Sequence, residues 1–333
     1  MTVPDDLPLG PGPGTLADNP RWRWVRRLAP WVITAVVVTA ILVKYPLGRI
    51  VEEMQRGDVL AMAPVALAAT LVMWFTATTG DFVLLRPLAP RLRFLALMKG
   101  KAGVSVLNAL GLALNYGGFA LWIQRVVGCP WRTALGVILM LTLADLGAVS
   151  IVALGALVAG GDELPAAVRD RLVVVAPALG GVALALLLAA RPVAVRRGLF
   201  EPWRGVPRGH RAASVVARMG TISVLVVSTW AAARAFGLPV PFHAWASFLP
   251  VLLVVGALPV NVAGLGPVQA AWLLLFAPWA SGPQILAFQF LWHLAMVCAL
   301  FLRGAPFLRA VVGDIARGHG RAADPAPPAD RSA

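Results

Sequence analysis

The chain has 333 residues, 59% hydrophobic and only 13% charged, with a mean hydropathy of +0.79 and a formal net charge of +14. A soluble domain carries roughly 25% charged residues, so the composition excludes a soluble globular fold and predicts an integral membrane protein. Nor does the positive charge point to nucleic acid, because the basic residues flank apolar stretches instead of interleaving with aromatics on a folded surface.

The first residues are rich in Pro, Gly and Asp, and residues 1–24 are expected to form a disordered cytoplasmic tail. The RWRWVRR that follows looks like the start of a signal peptide, but no small-x-small cleavage site follows the apolar run at 28–43, which reads as a retained first helix. Uncharged runs long enough for a bilayer core, which needs about 20 helical residues, recur at 59–80, 102–124 and 172–190. Runs at 133–161, around Asp145, and at 219–233 approach that length. Between Ala235 and Leu302 there is no Asp, Glu, Lys or Arg at all. Lipid offers the backbone no hydrogen-bond partner and the apolar runs do not alternate, so a barrel is excluded and the fold class is all-α and polytopic. Residues 25–310 form the transmembrane domain, with about six full crossings, and residues 311–333 a second disordered cytoplasmic tail.

The positions of the basic residues constrain the topology, because cytoplasmic loops of inner-membrane proteins carry the Lys and Arg excess. If every apolar run crossed once from an inside N-terminus, the loop from Arg191 to Arg211 would lie outside with its arginines. That conflict disappears if 102–124 dips in from the cytoplasm and returns, and 244–280 does the same from outside. Only Lys44, Arg49, Arg56, Arg169, Arg171 and Arg234, six of the 29 Lys and Arg, then remain outside. Both segments carry a break. The first reads LNALGLALNYGGFALWIQR, with Asn108, Asn115, Gly117 and Gly118; the second reads LPVNVAGLGPVQAAW, with Pro259, Asn261, Gly264, Gly266 and Pro267. In a helix interior Gly costs about 1 kcal/mol and Pro about 3. Irregular backbone at membrane depth persists where it is buried in protein or lines a cavity, and paired breaks in two halves of a chain mark a transporter's substrate site. The expected arrangement is an inverted repeat of two re-entrant hairpins lining a central cavity, 59–80 and 133–160 flanking the first and 214–233 and 284–302 the second. The alternative is a kinked helix at 102–124 and two short spans at 244–280.

Asp145 lies in an apolar run, where an acid costs about 2.5–3.5 kcal/mol at a helix centre. It must face the bundle, either as a proton or headgroup partner or in a structural pair with Arg125 or Arg132. Gln269 keeps hydrogen-bonding capacity without charge, and His293 reads as a packing residue or a titratable one. The Trp residues, among them Trp31, Trp122, Trp131, Trp245 and Trp279, are expected at the interfaces. Cys129 and Cys298 fit no disulfide framework and no metal-ligand spacing. GLGPVQ lacks the third Gly of a dinucleotide loop and no HExxH, GxSxG or P-loop occurs, so no enzyme activity, cofactor or metal is expected.

The order of an Asn-rich apolar helix, a Gly pair, Arg125, a helix with Asp145 and, much later, LPVNVAGLGPVQAA resembles the transmembrane region of the lysylphosphatidylglycerol synthases, which includes the flippase part of the multiple peptide resistance factor. The resemblance covers residues 25–310. It implies a helical membrane domain with re-entrant segments that handles an anionic or aminoacylated phospholipid. The departures fall on acids: Phe119 to Gln124 contains none, GPVQ has Gln269 where the family has Glu, and LTLA replaces a Glu-Arg ahead of Asp145.

The expected function is that of a flippase-like protein of a bacterial-type inner membrane, with both termini cytoplasmic. It binds or moves a phospholipid or lipid-linked headgroup between leaflets through Asn115, Gly117, Gly118, Arg125, Asp145, Asn261, Gly264, Gly266 and Gln269. The expected partners are that lipid and the anionic cytoplasmic leaflet. The alternative is a non-transporting scaffold for a separate lipid-modifying or glycan-assembling enzyme.

Overall fold

The computed structural model describes residues 20–109, 111–160, 166–188, 199–257 and 266–317. Of these 87% are helical and none is in a strand, as lipid requires of a chain whose backbone groups must pair internally. The protein is an all-α, multi-pass helical bundle.

Helix α1 (Pro20–Lys44) ends ahead of Pro46, and the chain turns by 76° into α2 (Leu47–Arg56). Proline has no N–H to continue the ladder and disfavours helical backbone in the residue before it. Helix α2 buries Ile50 and carries Arg56 paired with Glu52 at 2.6 Å and Glu53 at 3.0 Å, so it has one apolar and one charged face. Asp58 then starts α3 (Val59–Leu85) by accepting a hydrogen bond from the Ala61 N–H at 2.9 Å. The long helices α3, α6 (Trp131–Gly160), α9 (Arg208–Ala235) and α12 (Gly282–Arg317) are each long and apolar enough to cross a membrane. The bent pair α1 and α2 makes a fifth candidate, and α7 (Ala166–Leu188) adds an apolar stretch over Val173–Leu188. A single turn, α8 (Pro202–Gly205), precedes α9. Helix α12 continues to Arg317, past the residue 310 at which the sequence ends the domain.

Two pairs of shorter helices stand between the long ones. Helix α4 (Phe94–Ser105) passes through a 3₁₀ turn at Val106–Ala109 into α5 (Leu112–Val127), and α10 (Phe242–Ala257) is followed by α11 (Pro267–Phe276). The pairs are antiparallel. Gly100 meets the Trp122 ring while Gly118 meets Val104 and Leu107; in the other pair Gly256 meets Val268 while Phe248 meets Phe276 edge to face at 5.6 Å. The arms of 12, 16, 16 and 10 residues measure about 15–24 Å, short of a hydrocarbon core of about 30 Å.

Each pair returns to the end of the bundle it left. At one end the Phe236 ring covers Gly57 and the Tyr45 ring covers Gly282, which gathers the loops after α1, α2 and α9 and the start of α12. At the other, Leu88 covers Gly205 and the Leu199 carbonyl abuts Gly136, while Thr133 donates to Glu201 at 2.9 Å and Trp203 donates to the Leu186 carbonyl at 3.0 Å. Arg86, Arg91, Arg93, Arg125, Arg132, Arg204 and Arg208 belong to this second, basic end.

The helix neighbours repeat. Helices α3 and α9 run antiparallel along each other; α4 packs on α12 as α10 packs on α6, α5 on α6 as α11 on α12, and α3 on α12 as α9 on α6. Exchanging α3 to α6 with α9 to α12 therefore preserves the main contacts, and the exchange reverses chain direction because α3 opposes α9. Both hairpins lean on α6 and α12, which stand between them.

Candidate functional site

Four charged side chains meet where the first hairpin joins the long helices. Arg218 of α9 donates through Nη1 to the Asp145 carboxylate of α6 and through Nη2 to the Asp81 carboxylate of α3, and Lys101 of α4 donates to the other oxygen of Asp81. The result is a chain of alternating charge, Lys101, Asp81, Arg218, Asp145, with no net charge. Its middle is deeply buried, with side-chain exposures of 1% for Asp81 and 5% for Arg218, while its ends reach outward, at 24% for Lys101 and 35% for Asp145.

Local sequence explains the placement. Gly80 lets α3 and α9 approach, since a Cβ there would lie 3.3 Å from the Ser214 carbonyl and 3.4 Å from Arg218 Cγ. About one turn away the Thr76 and Thr221 hydroxyls share a hydrogen bond of 2.8 Å. A planar guanidinium with several donors can bridge two carboxylates, which an ammonium on a flexible stem does less well. Tyr116 of α5 places its hydroxyl on Thr142, within electrostatic reach of Asp145. Two acids within apolar helices, at about 2.5–3.5 kcal/mol each at a helix centre, are tolerable because each has a cation.

Asp145 thus faces the bundle, as its cost requires, but its partner is neither Arg125 nor Arg132. Both are exposed at the basic end, and the ion pair comes from Arg218, 73 residues along the chain. The first break also lies elsewhere than expected. Gly117 and Gly118 sit inside α5, and the chain turns around the 3₁₀ segment Val106–Ala109 and Gly111, which has φ +145°, a conformation that side chains disfavour. The physical reason is that Gly111 takes the positive φ of the turn, while Gly118, inside the helix, lets α5 approach Val104 and Leu107. Asn115 is half-buried in the first turns of α5, its backbone N–H donating to the Gly111 carbonyl at 3.2 Å.

In the second motif Pro259, Asn261 and Gly264 lie outside the described residues. Gly266 precedes α11 with φ +118°, packed against Thr34 of α1, and Pro267 occupies the first helical position, where its missing N–H costs nothing. Gln269 is buried at 3%. Gly118 and Gly266 therefore face different neighbours, Gly118 its own hairpin partner and Gly266 the first helix. His293 is exposed on α12. Trp31 and Trp131 are exposed as interfacial anchors should be, whereas Trp122 and Trp245, at 1% and 0%, are core residues.

Sequence reasoning missed Asp81, Lys101 and Arg218. They stand at the ends of uncharged runs, where charge is ordinary at a membrane boundary; the available signal is that Asp81 follows 59–80 directly, within helical reach of its interior. No family model matches this chain, and no curated protein is similar to it.

Proposed function

We propose that the protein binds a phospholipid or lipid-linked headgroup and moves it between the leaflets of a bacterial-type inner membrane, with the α4–α5 hairpin re-entering from the cytoplasmic side and the α10–α11 hairpin from the opposite side. The observation that carries this reading is the neutral chain Lys101, Asp81, Arg218, Asp145, set in an apolar bundle and tied to a hairpin too short to cross. Ionisable residues inside membrane segments are costly, and they mark substrate paths and proton relays. Lys101 and Asp145, at the two outward ends, offer a cation to a headgroup phosphate and an acceptor to its hydroxyls. The repeated helix contacts, related by reversal of chain direction, are the pattern of transporters that alternate by rocking one repeat against the other.

The test is leaflet exchange in reconstituted vesicles, using fluorescent phosphatidylglycerol and a polyprenyl-linked sugar as probes. The parent should accelerate exchange above protein-free vesicles, and Asp145→Asn should slow it by about tenfold, the value of one lost charge-assisted hydrogen bond. No exchange for either probe, with a co-purifying enzyme retained by Asp145→Asn, would replace transport by scaffolding. Sidedness is tested separately in a background lacking Cys129 and Cys298. An impermeant thiol reagent on intact cells should label Arg234→Cys and spare Arg204→Cys, at the two ends of α9; the reverse pattern inverts the topology.

A further inference from the structure

A further cation within the apolar helices lies outside the charge chain. Arg303 of α12 donates through Nη1 to the Thr70 carbonyl at 3.1 Å and through Nη2 to the Ser105 hydroxyl at 2.6 Å, and its guanidinium lies 5.5 Å from the centroid of the Trp74 ring. Its Nε is buried and makes no hydrogen bond. No carboxylate among the described residues pairs with it. Thr70 stands eleven residues from Val59 and fifteen from Leu85 in α3, so Arg303 sits about 16 Å from one end of that helix and about 22 Å from the other, near its middle.

The surroundings form a built cradle. Ser105 is the last residue of α4, where the chain enters the 3₁₀ turn, and its hydroxyl also donates to the Ala102 carbonyl at 2.7 Å. Trp74 is held by its own indole N–H, which donates to the Met98 carbonyl at 3.0 Å. Gly304 lets α12 approach so closely that a Cβ there would lie 2.5 Å from the Ala102 carbonyl. Ser105 is one helical turn beyond Lys101 on the same face of α4, so Arg303 continues the polar stripe toward the hairpin's turn.

We propose that Arg303 is the binding group for a phosphate-type oxyanion. This rests on the reading that the first hairpin handles a headgroup, and it specifies the class as net anionic. An unmatched cation at this depth is costly; two carbonyl and hydroxyl acceptors solvate it without neutralising it, whereas a phosphate both neutralises it and accepts from the idle Nε in fork geometry. Trp74 fixes the plane of the guanidinium and leaves its edge to the ligand.

The experiment is equilibrium binding to the purified full chain in detergent, independent of any transport. Fluorescent phosphatidylglycerol is titrated against the parent, Arg303→Gln and Arg303→Lys, with phosphatidylcholine and inorganic phosphate as competitors. Arg303→Gln should bind phosphatidylglycerol at least about tenfold more weakly, and Arg303→Lys should fall between, keeping charge but not the fork. Phosphatidylcholine, whose phosphate already carries an ammonium, should compete poorly. Displacement by inorganic phosphate assigns the site to a soluble anion, and failure to displace assigns it to the lipid. Unchanged affinity in Arg303→Gln overturns the proposal; should that variant not fold, unchanged affinity in Arg303→Lys does so. Lost binding with no vesicle exchange keeps this site and removes transport, whereas exchange with unchanged binding does the reverse.

Discussion

The two helical hairpins have the same chain plan and opposite interiors. The α4–α5 pair is joined to its neighbours by charge and by missing side chains: Lys101 reaches Asp81, and Gly100, Gly103 and Gly304 stand where a Cβ would meet Trp122, Val311 or the Ala102 carbonyl. The α10–α11 pair is cemented by rings. Trp245 lies 4.6 Å from Phe276, 5.6 Å from Trp272 and 5.7 Å from Phe288, and Phe248 adds contacts to Phe276 and Trp279. In lipid, where apolar burial drives little helix association, close backbone approach and polar contacts hold helices together on one side and aromatic packing on the other. One scaffold used twice thus gives a hairpin held by charge and close backbone approach and a hairpin held by an apolar ring cluster.

The largest effect should come from Arg218→Leu, which strands Asp145 and leaves Asp81 with Lys101 alone. We expect destabilisation toward the upper end of the about 3–5 kcal/mol lost when a buried ion pair is broken, read as a fall in thermal midpoint in detergent. Adding Asp81→Asn and Asp145→Asn should restore most of it; no recovery would mean that Arg218 acts by packing and that the two hairpins are alike after all. On the aromatic side, Trp245→Ala should cost about 3 kcal/mol through the cavity left in the ring cluster. The surviving folded protein should still exchange lipid at the parental rate, since no charged group is touched; a rate that falls with Trp245 would erase the division of labour.

Smaller effects sharpen the picture of the first hairpin. Gly304→Leu drives a side chain into the Ala102 carbonyl, and overpacking of this kind costs about 1–3 kcal/mol, measurable by the same melts. The least perturbing change is Gly117→Ala. A Cβ at Gly117 meets nothing within 4 Å, so alanine should raise stability by up to about 1 kcal/mol in a helix interior. Gly111→Ala should lower it, because φ +145° is disfavoured for any side chain. A loss at 117 and none at 111 would move the turn back to the Gly pair.

Much of this architecture can be read from local composition. Hydropathy alone defines α3, α6, α9 and α12, and Gly, Pro and Asn clusters identify the two segments that fail to continue as single helices. What local composition misjudges is where within 102–124 the chain turns: Asn-Ala-Leu-Gly at 108–111 and Asn-Tyr-Gly-Gly at 115–118 are both plausible breaks, and the choice depends on which glycine is needed for close packing inside α5. Trp122 and Trp245 were assigned to the interface by residue type, and the structure buries them because Gly100 and the α11 rings provide matching surfaces.

The sequence by itself determined the membrane class, the helical secondary structure, the basic and balanced loop sets and the need for Asp145 to face inward. These follow from transfer free energies and backbone pairing, which act residue by residue. Only the tertiary structure decided that Asp145 answers to Arg218, that Asp81 binds Arg218 across 137 positions and Lys101 across 20, and that Arg303 meets a carbonyl and a hydroxyl with no acid among the described residues. Charge in an apolar bundle is settled by whichever opposite charge the packing brings within reach, and glycine gaps between distant helices, such as Gly80 beside Ser214, set that reach.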